Sequence, residues 1–276
     1  MPELPEIEAL RETLAHRVAG RRPMSISVRQ FALVKTVDPP LEDLVEQALV
    51  GARRHGKHLL LDFESDLTLA IHLGIGGRLL LEDAMRKQAR SLSLEMQMDD
   101  GNALRVAELG TKKRSSVHLL RAAAVVDHLS HLGVDALSRD VTVDVLAGLL
   151  AKDRSQLKHF LEDQRRVAGI GNAYSDEILF EARIDPFRKR TTMSDDDIGR
   201  LYRGLRTVYD WAIPLLTEHF RDELDYHEWR EHLKVHRKGA PEGAARDEGR
   251  CPRCGTHLTQ ISPNDRVTTW CRTCQT

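Results

Sequence analysis

The spacing of apolar positions changes along this chain, and each change marks a boundary between kinds of structure. Ile7, Leu10, Leu14 and Val18 recur at helical intervals, so residues 5–18 read as one amphipathic helix. Pro5 suits its first turn, where no backbone donor is needed, and Glu6 and Glu8 suit the positive end of the helix dipole. From Met24 to about Leu120 the runs shorten to strand length: SISV, HLLLDF, LTLAIHL, GRLLLE, SLSLEMQM, ALRVAE and SVHLL. Several alternate with period two, and Asp99-Asp100-Gly101-Asn102 reads as a hairpin turn between two of them. Helices do not alternate with these strands. That argues against a nucleotide-binding parallel sheet and for an antiparallel sandwich or barrel.

From about Leu129 the period returns to helical. Segments near 141–152, 155–165, 172–183, 194–220 and 223–235 predict an all-helical second domain. Residues 239–250, GAPEGAARDEGR, carry three glycines and a proline with almost nothing to bury, and read as a linker. The expectation is an α+β multidomain chain: a β-sandwich domain with a leading helix over 1–125, a helical domain over 126–238, and a linker with a cysteine module over 239–276.

All four cysteines lie in the last 26 residues, as two C-x-x-C pairs separated by 16 residues: Cys251, Cys254, Cys271 and Cys274. Each tight turn aims two thiolates at one ion, and a closed four-thiolate shell predicts a single structural Zn2+. An iron–sulfur cluster and a pair of disulfides are the alternatives. Arg266 falls on a β-hairpin between the knuckles, either merely solvated or reaching a phosphate. The net charge of −1 conceals an imbalance, since eight Lys or Arg against four acids make 233–276 +4 and leave the rest −5. A locally basic tail is one form of nucleic-acid footprint. Hydrophobic residues at 41% and charged residues at 30% describe an ordinary globular chain. No run approaches the ~18 apolar residues of a membrane span, so a cytoplasmic protein with neither leader nor membrane partner is expected.

One further segment holds chemistry. In FLEDQRRVAGIGNAYSDEILF a helix is expected to end near Arg166, the chain to turn through two glycines, and a new helix to start with Asn172 as its N-cap. Backbone N–H groups at such a turn make an anion site. Plain architecture is the other reading, although Arg154, Lys158 and Arg165 nearby add positive charge.

Several of these pieces together resemble one family. PELPEIE at the start, ARRHGKHLLLDF around Lys57, QLKHFLEDQRRVAGIGNAYSDEILFEARIDP and the C-x2-C-x16-C-x2-C module are similar, in order and over nearly the whole chain, to the formamidopyrimidine-DNA glycosylase and endonuclease VIII family. The resemblance implies a β-sandwich, a helix–two-turn–helix domain and a zinc finger. It implies base-excision repair of damaged double-stranded DNA by a bifunctional glycosylase and abasic-site lyase, a monomer that is nucleoid-associated when bound. Removal of Met1 would free Pro2 as the nucleophile, with Glu3 as general acid and Lys57 as the β-elimination lysine. A solvated strand end beside Arg53 and Arg54 is the other reading of Lys57. Arg266 matches the zinc-finger arginine that grips flanking phosphates and assists δ-elimination, Asn172 the phosphate-binding asparagine, and Arg154 a DNA-binding lysine, with Lys158 close by. Glu6 and Glu177 match acidic positions that support the active site, with capping or structural roles as the alternative.

The chain also departs from that pattern. Members acting on 8-oxoguanine carry an arginine and a phenylalanine on a sandwich loop that fill the hole left by the flipped base. LRVAELGTKKRSSVHLL keeps charge in Lys112, Lys113 and Arg114 without a phenylalanine, and Ile75 stands where a methionine completes the set. The glycine-rich loop that caps the oxidised purine is not evident either, and Thr217–Gly239 reads as acidic helical sequence. A preference for lesions other than 8-oxoguanine is therefore expected: oxidised pyrimidines, formamidopyrimidines or abasic sites. Two alternatives stay open, a catalytically weak damaged-DNA-binding protein on the same fold and a zinc-ribbon protein acting on RNA or protein.

Overall fold

The computed structural model describes residues 1–109, 113–221, 224–226, 230–239, 249–263 and 266–276. The first elements are α1 (Leu4–Arg17), β1 (Pro23–Val28), β2 (Leu49–His55), β3 (His58–Phe63), β4 (Leu67–His72) and β5 (Gly77–Asp83). There follow β6 (Leu92–Met98), β7 (Asn102–Glu108), β8 (Ser116–Arg121), α2 (Ala122–Leu129) and β9 (Val134–Asp135). Next come α3 (Val143–Ala151), α4 (Leu157–Glu162), β10 (Val167–Ala168), α5 (Asn172–Ala182) and α6 (Asp195–Phe220). The short strands β11 (Leu224–Tyr226), β12 (Thr259–Ile261) and β13 (Thr268–Trp270) complete the series. The chain divides into two units, residues 1–131 with 213–229, and residues 132–212 with 230–276.

Two antiparallel sheets build the first unit, one in the order β1-β6-β7-β5-β11 and the other β2-β3-β4-β8. Their inner faces alternate with period two. Leu79, Leu81, Leu94, Met96, Leu104 and Val106 of one share a single core with Leu59, Leu61, Leu69, Ile71, Val117 and Leu119 of the other. Ile7, Leu10 and Leu14 of α1 enter the same core, so the sandwich with a leading helix is observed. Strand β2 escaped the sequence reading because Gly51, Arg53 and Arg54 interrupt its apolar pattern. Helix α2 escaped it because it follows β8 without a break.

The predicted helix over 223–235 is corrected where it falls on described residues, 224–226 and 230–235. Leu224–Tyr226 forms β11, which pairs antiparallel with Leu79–Leu81 of β5, and Leu224 is buried in the core. A sheet edge that would otherwise be unpaired wins over helical periodicity here. Farther on, the N–H groups of Lys234, Val235 and His236 all donate to the Glu177 carboxylate, at 3.0, 2.9 and 2.8 Å. A helix would have turned those donors back onto its own carbonyls.

In the second unit α3 starts at a capping threonine, with Val145 N–H donating to Thr142 Oγ1 at 3.2 Å. Helices α4 and α5 flank the glycine turn, and β12 and β13 form the cysteine module's hairpin. Among the described residues no helix is long and apolar enough to cross a membrane.

Helix α2 lies over the outer face of the four-stranded sheet, with Val125 packed on Leu60 and Ala70. The same face carries His58, His72 and His118. Burial, reinforced by neighbouring imidazoles, pushes His58 down to about 3, and burial first, then nearby positive charge, pushes His72 and His118 to about 4. The unfolded chain binds protons near pH ~6.5 that the fold refuses. Stability contributed by these groups is therefore present above that pH and lost as pH falls toward 4. The urea midpoint is expected to drop between pH 7 and 5, above the carboxylate range, and His118→Gln is expected to shallow that drop; a flat profile would contradict it.

Candidate functional site

The N-terminus is built into the fold. Glu3 is the N-cap of α1 and Pro5 lies in its first turn. The Glu3 N–H donates to Glu6 Oε2 at 3.0 Å, and the Glu3 carboxylate accepts from the Glu6 N–H, closing a reciprocal capping box. Pro2 and Glu3 are buried, and Leu4 and Ile7 behind them are wholly enclosed. Glu6 therefore acts on the terminus through the backbone.

Farther along α1, Glu8 ties the helix to the β2–β3 hairpin. Arg54 Nε donates to Glu8 at 2.7 Å, and Arg54 Nη1 to the Gly56 carbonyl at 3.1 Å. Gly56, at φ +55, makes the tight turn before Lys57. Lys57 is only 5% exposed, against the reading of a solvated strand end. Its charge acts on His72, across the sheet.

Ile75 occupies the turn between β4 and β5 and is half exposed. Gly74, at φ +56, lets the backbone of Arg114 approach so closely that a Cβ would lie 2.6 Å from its carbonyl. The loop carrying Lys113 and Arg114 thus rests against the Ile75 turn. Glu108 holds that loop, accepting from the Ser115 N–H at 2.7 Å and from the Arg114 N–H, while the Lys113 ammonium donates to the Glu108 carbonyl. Both cationic side chains are exposed; Lys112 lies outside the described residues.

In the second unit Gln164 staples the glycine turn. Its amide donates to the Glu162 and Ile170 carbonyls at 2.8 and 2.6 Å and accepts from the Gly169 N–H at 2.9 Å. The N-cap of α5 is Gly171, so Asn172 is the first helical residue and not the cap. Asn172 lines a cavity of about 360 Å³ together with Lys158, Glu162, Pro263, Arg266 and Thr268. Its Oδ1 is buried without a hydrogen-bond partner. The Arg266 side chain is 71% exposed and reaches Glu162 at 3.4 Å. Arg154 is exposed.

Lys158 is placed otherwise. It is buried, and its ammonium donates to Asp176 Oδ1 at 2.5 Å and the Val267 carbonyl at 3.0 Å. Asp176 Oδ2 accepts from the Thr269 N–H at 3.0 Å and pairs with His236 Nδ1 at 2.7 Å. Glu177, next along α5, is committed to the N–H groups of 234–236. These charged groups tie the β12–β13 hairpin and the 234–236 segment to α5.

The four cysteine sulfurs lie within 4.8 Å of one another. Cys254–Cys271 and Cys251–Cys274 are 3.5 and 3.9 Å apart, close to the ~3.8 Å edge of a tetrahedron with 2.3 Å zinc–sulfur bonds. Both knuckles close through the backbone, Gly255 N–H to the Cys251 carbonyl at 2.9 Å and Gln275 N–H to the Cys271 carbonyl at 3.0 Å. The Arg253 N–H donates to Cys251 Sγ at 3.4 Å, as suits a thiolate. The donor set fits zinc.

Three family models match the chain in order. Residues 1–111 match the formamidopyrimidine-DNA glycosylase N-terminal domain, 132–221 the H2TH domain of the same enzymes, and 249–276 the zinc finger found in FPG and IleRS. A formamidopyrimidine-DNA glycosylase of Heliobacterium modesticaldum is 33% identical over 291 residues, covering 100% of both chains. The chain belongs to the formamidopyrimidine-DNA glycosylase family. A relative from Pelotomaculum thermopropionicum is 31% identical over all of this chain and 99% of its own. Among solved structures, a complex of Lactococcus lactis Fpg with DNA containing N7-benzyl-Fapy-dG matches with TM-score 0.87 and 26% identity over 99% of each chain. The Lactococcus lactis Fpg complex with abasic-site DNA gives 0.87 and 25% over the same share. The zinc-finger match and the converged thiolates establish zinc binding.

Within this member of the family, the sequence singles out the groups that carry a motif and passes over those whose partners are distant in sequence. Asp176 and His236 carried no motif, and the charge of Lys158 looked like a surface cation. Leu157, Phe160 and Leu161 around it gave one hint of burial. Asp176→Ala would leave the Lys158 ammonium buried with its chief partner gone, at a cost of about 3–5 kcal/mol. Urea denaturation of the zinc-loaded protein is expected to read that loss, and a change below about 1 kcal/mol, the range of an exposed pair, would show that the network does not hold the hairpin.

Proposed function

We propose that the chain is a DNA repair glycosylase with abasic-site lyase activity, acting on damaged bases in duplex DNA through the secondary amine of Pro2. The capped and buried Pro2-Glu3 terminus carries this reading. Removal of Met1 frees the amine, and an α-amino group titrating near ~8 is partly neutral at physiological pH. Its lone pair attacks C1′ of the damaged nucleotide, the glycosidic bond breaks, and the base leaves with the bonding electrons. Loss of the amine proton and opening of the sugar ring yield a Schiff base at Pro2. Glu3 supplies a proton to the sugar or the leaving base, its carboxyl oriented by the Glu6 N–H. Lys57 assists β-elimination from the turn that Arg54 braces.

Arg266, Asn172 and Arg154 take the flanking phosphates, the first two lining one cavity. Lys158, lining the same cavity, supports them from a buried tie to Asp176. Glu6 and Glu177 act in the same indirect way, by holding backbone. The zinc, one per chain, has no open position in a four-thiolate shell, so its work is to hold the hairpin that bears Arg266. Ile75 with Lys113 and Arg114 faces the gap left by the flipped base; filling it with aliphatic and cationic groups instead of an aromatic ring favours oxidised pyrimidines, formamidopyrimidines or abasic sites over 8-oxoguanine.

Borohydride added to the Met1-processed protein on abasic-site duplex is expected to trap a covalent complex at Pro2. Pro2→Gly is expected to lose most base removal and strand cleavage, and Glu3→Gln to slow base removal roughly 10²–10⁴-fold. Intact binding without an adduct would instead mark a damage-binding protein that has lost the reaction. Chelation is expected to release about one zinc per chain and to abolish DNA binding; a metal-free preparation that still bound and cut would refute the role given to the finger.

A further inference from the structure

The cavity that Asn172 and Arg266 line also holds a carboxylate that the proposed reaction does not use. Glu162, the last residue of α4, is the one acid among the described residues lining it. Its side chain is nearly buried, and three groups reach it. Ser175, wholly buried on α5, offers its hydroxyl to Glu162 Oε1 at 3.2 Å and to the Asn172 carbonyl at 3.0 Å. The Lys158 ammonium lies 3.8 Å from the same Glu162 oxygen. Arg266 Nη1 donates to Glu162 Oε2 at 3.4 Å.

The charge balance is unexpected for a phosphate site. Lys158 and Arg266 are the lysine and the arginine in the cavity wall, and each is already paired, the first with Asp176 and the second with Glu162. A phosphate that enters therefore meets two compensated cations and a fixed negative charge. The two pairs differ in how readily they open. Lys158 is buried, with its ammonium shared between Asp176 at 2.5 Å and the Val267 carbonyl at 3.0 Å, and parting a buried pair is costly. Arg266 is largely exposed and holds Glu162 by one long contact, the kind of pair that water and salt weaken. The Glu162 side chain stays behind when that contact breaks, because Ser175 retains it.

We propose that Glu162 stands in for the DNA phosphate: it holds Arg266 in the free protein, gives it up when duplex binds, and so sets the strength of the grip. The inference rests on Arg266 taking a flanking phosphate. Exchange of one anion for another has a signature in salt. In the wild type the Arg266 charge is neutralised before binding, so engaging a phosphate releases fewer counterions than a free arginine would. Glu162→Gln removes that prior neutralisation, and the slope of log K against log salt steepens by up to about 0.9, the value for one phosphate. Phosphate contacts carry no base information, so binding tightens equally for intact and damaged duplex.

The test measures binding of zinc-loaded, full-length protein to intact duplex and to duplex carrying a tetrahydrofuran abasic analogue, between about 50 and 200 mM salt. Glu162→Gln and Glu162→Ala are expected to bind both duplexes about 2- to 5-fold more tightly, the range an exposed ion pair covers. The steeper slope is expected with them, at wild-type zinc content and circular dichroism. Arg266→Ala is expected to bind more weakly, and adding Glu162→Gln to it to change nothing further. The proposal is overturned if both folded Glu162 variants bind no more tightly than the wild type. It is equally overturned if the tightening persists undiminished without Arg266, since a general repulsion would then act in place of exchange. Arg266→Ala binding as tightly as the wild type would instead overturn the phosphate reading of Arg266, and this proposal with it.

Discussion

A pair of adjacent buried carboxylates on α5 organises the second unit. Asp176 and Glu177 cannot be enclosed unpaired, since desolvating a charge is tolerable only with close partners. Their partners come from three separate stretches: Lys158 on α4, the N–H groups of 234–236 with His236, and the Thr269 N–H of the finger hairpin. Satisfying two side chains thus places the hairpin against the glycine turn. Arg266 and Asn172, nearly a hundred residues apart in sequence, come to line one cavity because of groups that themselves line little of it. Backbone hydrogen bonds close the two knuckles internally; the carboxylates fix where the hairpin docks.

The first unit solves a related problem at the chain terminus. A terminal dipeptide would ordinarily fray. Here the Glu3–Glu6 box satisfies the N–H groups of Glu3 and Glu6, and Ile7 and Leu10 anchor the helix in the core. The Glu8–Arg54 ion pair carries the constraint on to the hairpin bearing Lys57. An amine nucleophile needs such a setting, because orientation supplies a large part of the barrier reduction in covalent catalysis.

How much of this was legible in the sequence depended on the range of the interaction. Periodicity revealed α1, the inner faces of both sheets and the Asp99–Asn102 turn, since those signals are local. The cysteine spacing revealed the finger for the same reason. Residues 223–235 misled, because Leu224 answers to the edge of β5 and Lys234–His236 answer to Glu177, neither of which is near in sequence. The setting of Lys158 was hidden similarly: a lysine beside a glycine turn reads as a surface cation, and its pairing with Asp176 is not near in sequence. Asn172 looked like an N-cap because asparagine favours that position, whereas the turn's dihedrals give the cap to Gly171.

The two kinds of candidate group differ in how they are held. Pro2, Glu3 and Lys57, assigned here to bond making and breaking, are buried and fastened through backbone hydrogen bonds, ion pairs or tight turns. Ile75, Arg114, Arg154 and Arg266, assigned to contact with DNA, are exposed. Fixing the reacting groups lowers the reorganisation needed at the moment of reaction. Leaving the contact groups free lets them follow a backbone whose shape changes with the lesion, as flipping demands. The Ile75 turn and the loop after Glu108 show the compromise most directly. Gly74 and the Glu108 carboxylate lock their main chains together, while the side chains that would enter the duplex remain outside. Substitutions in those side chains therefore leave the core undisturbed, and on the proposed reading that is how a chain could keep the chemistry while changing the groups that read the damage.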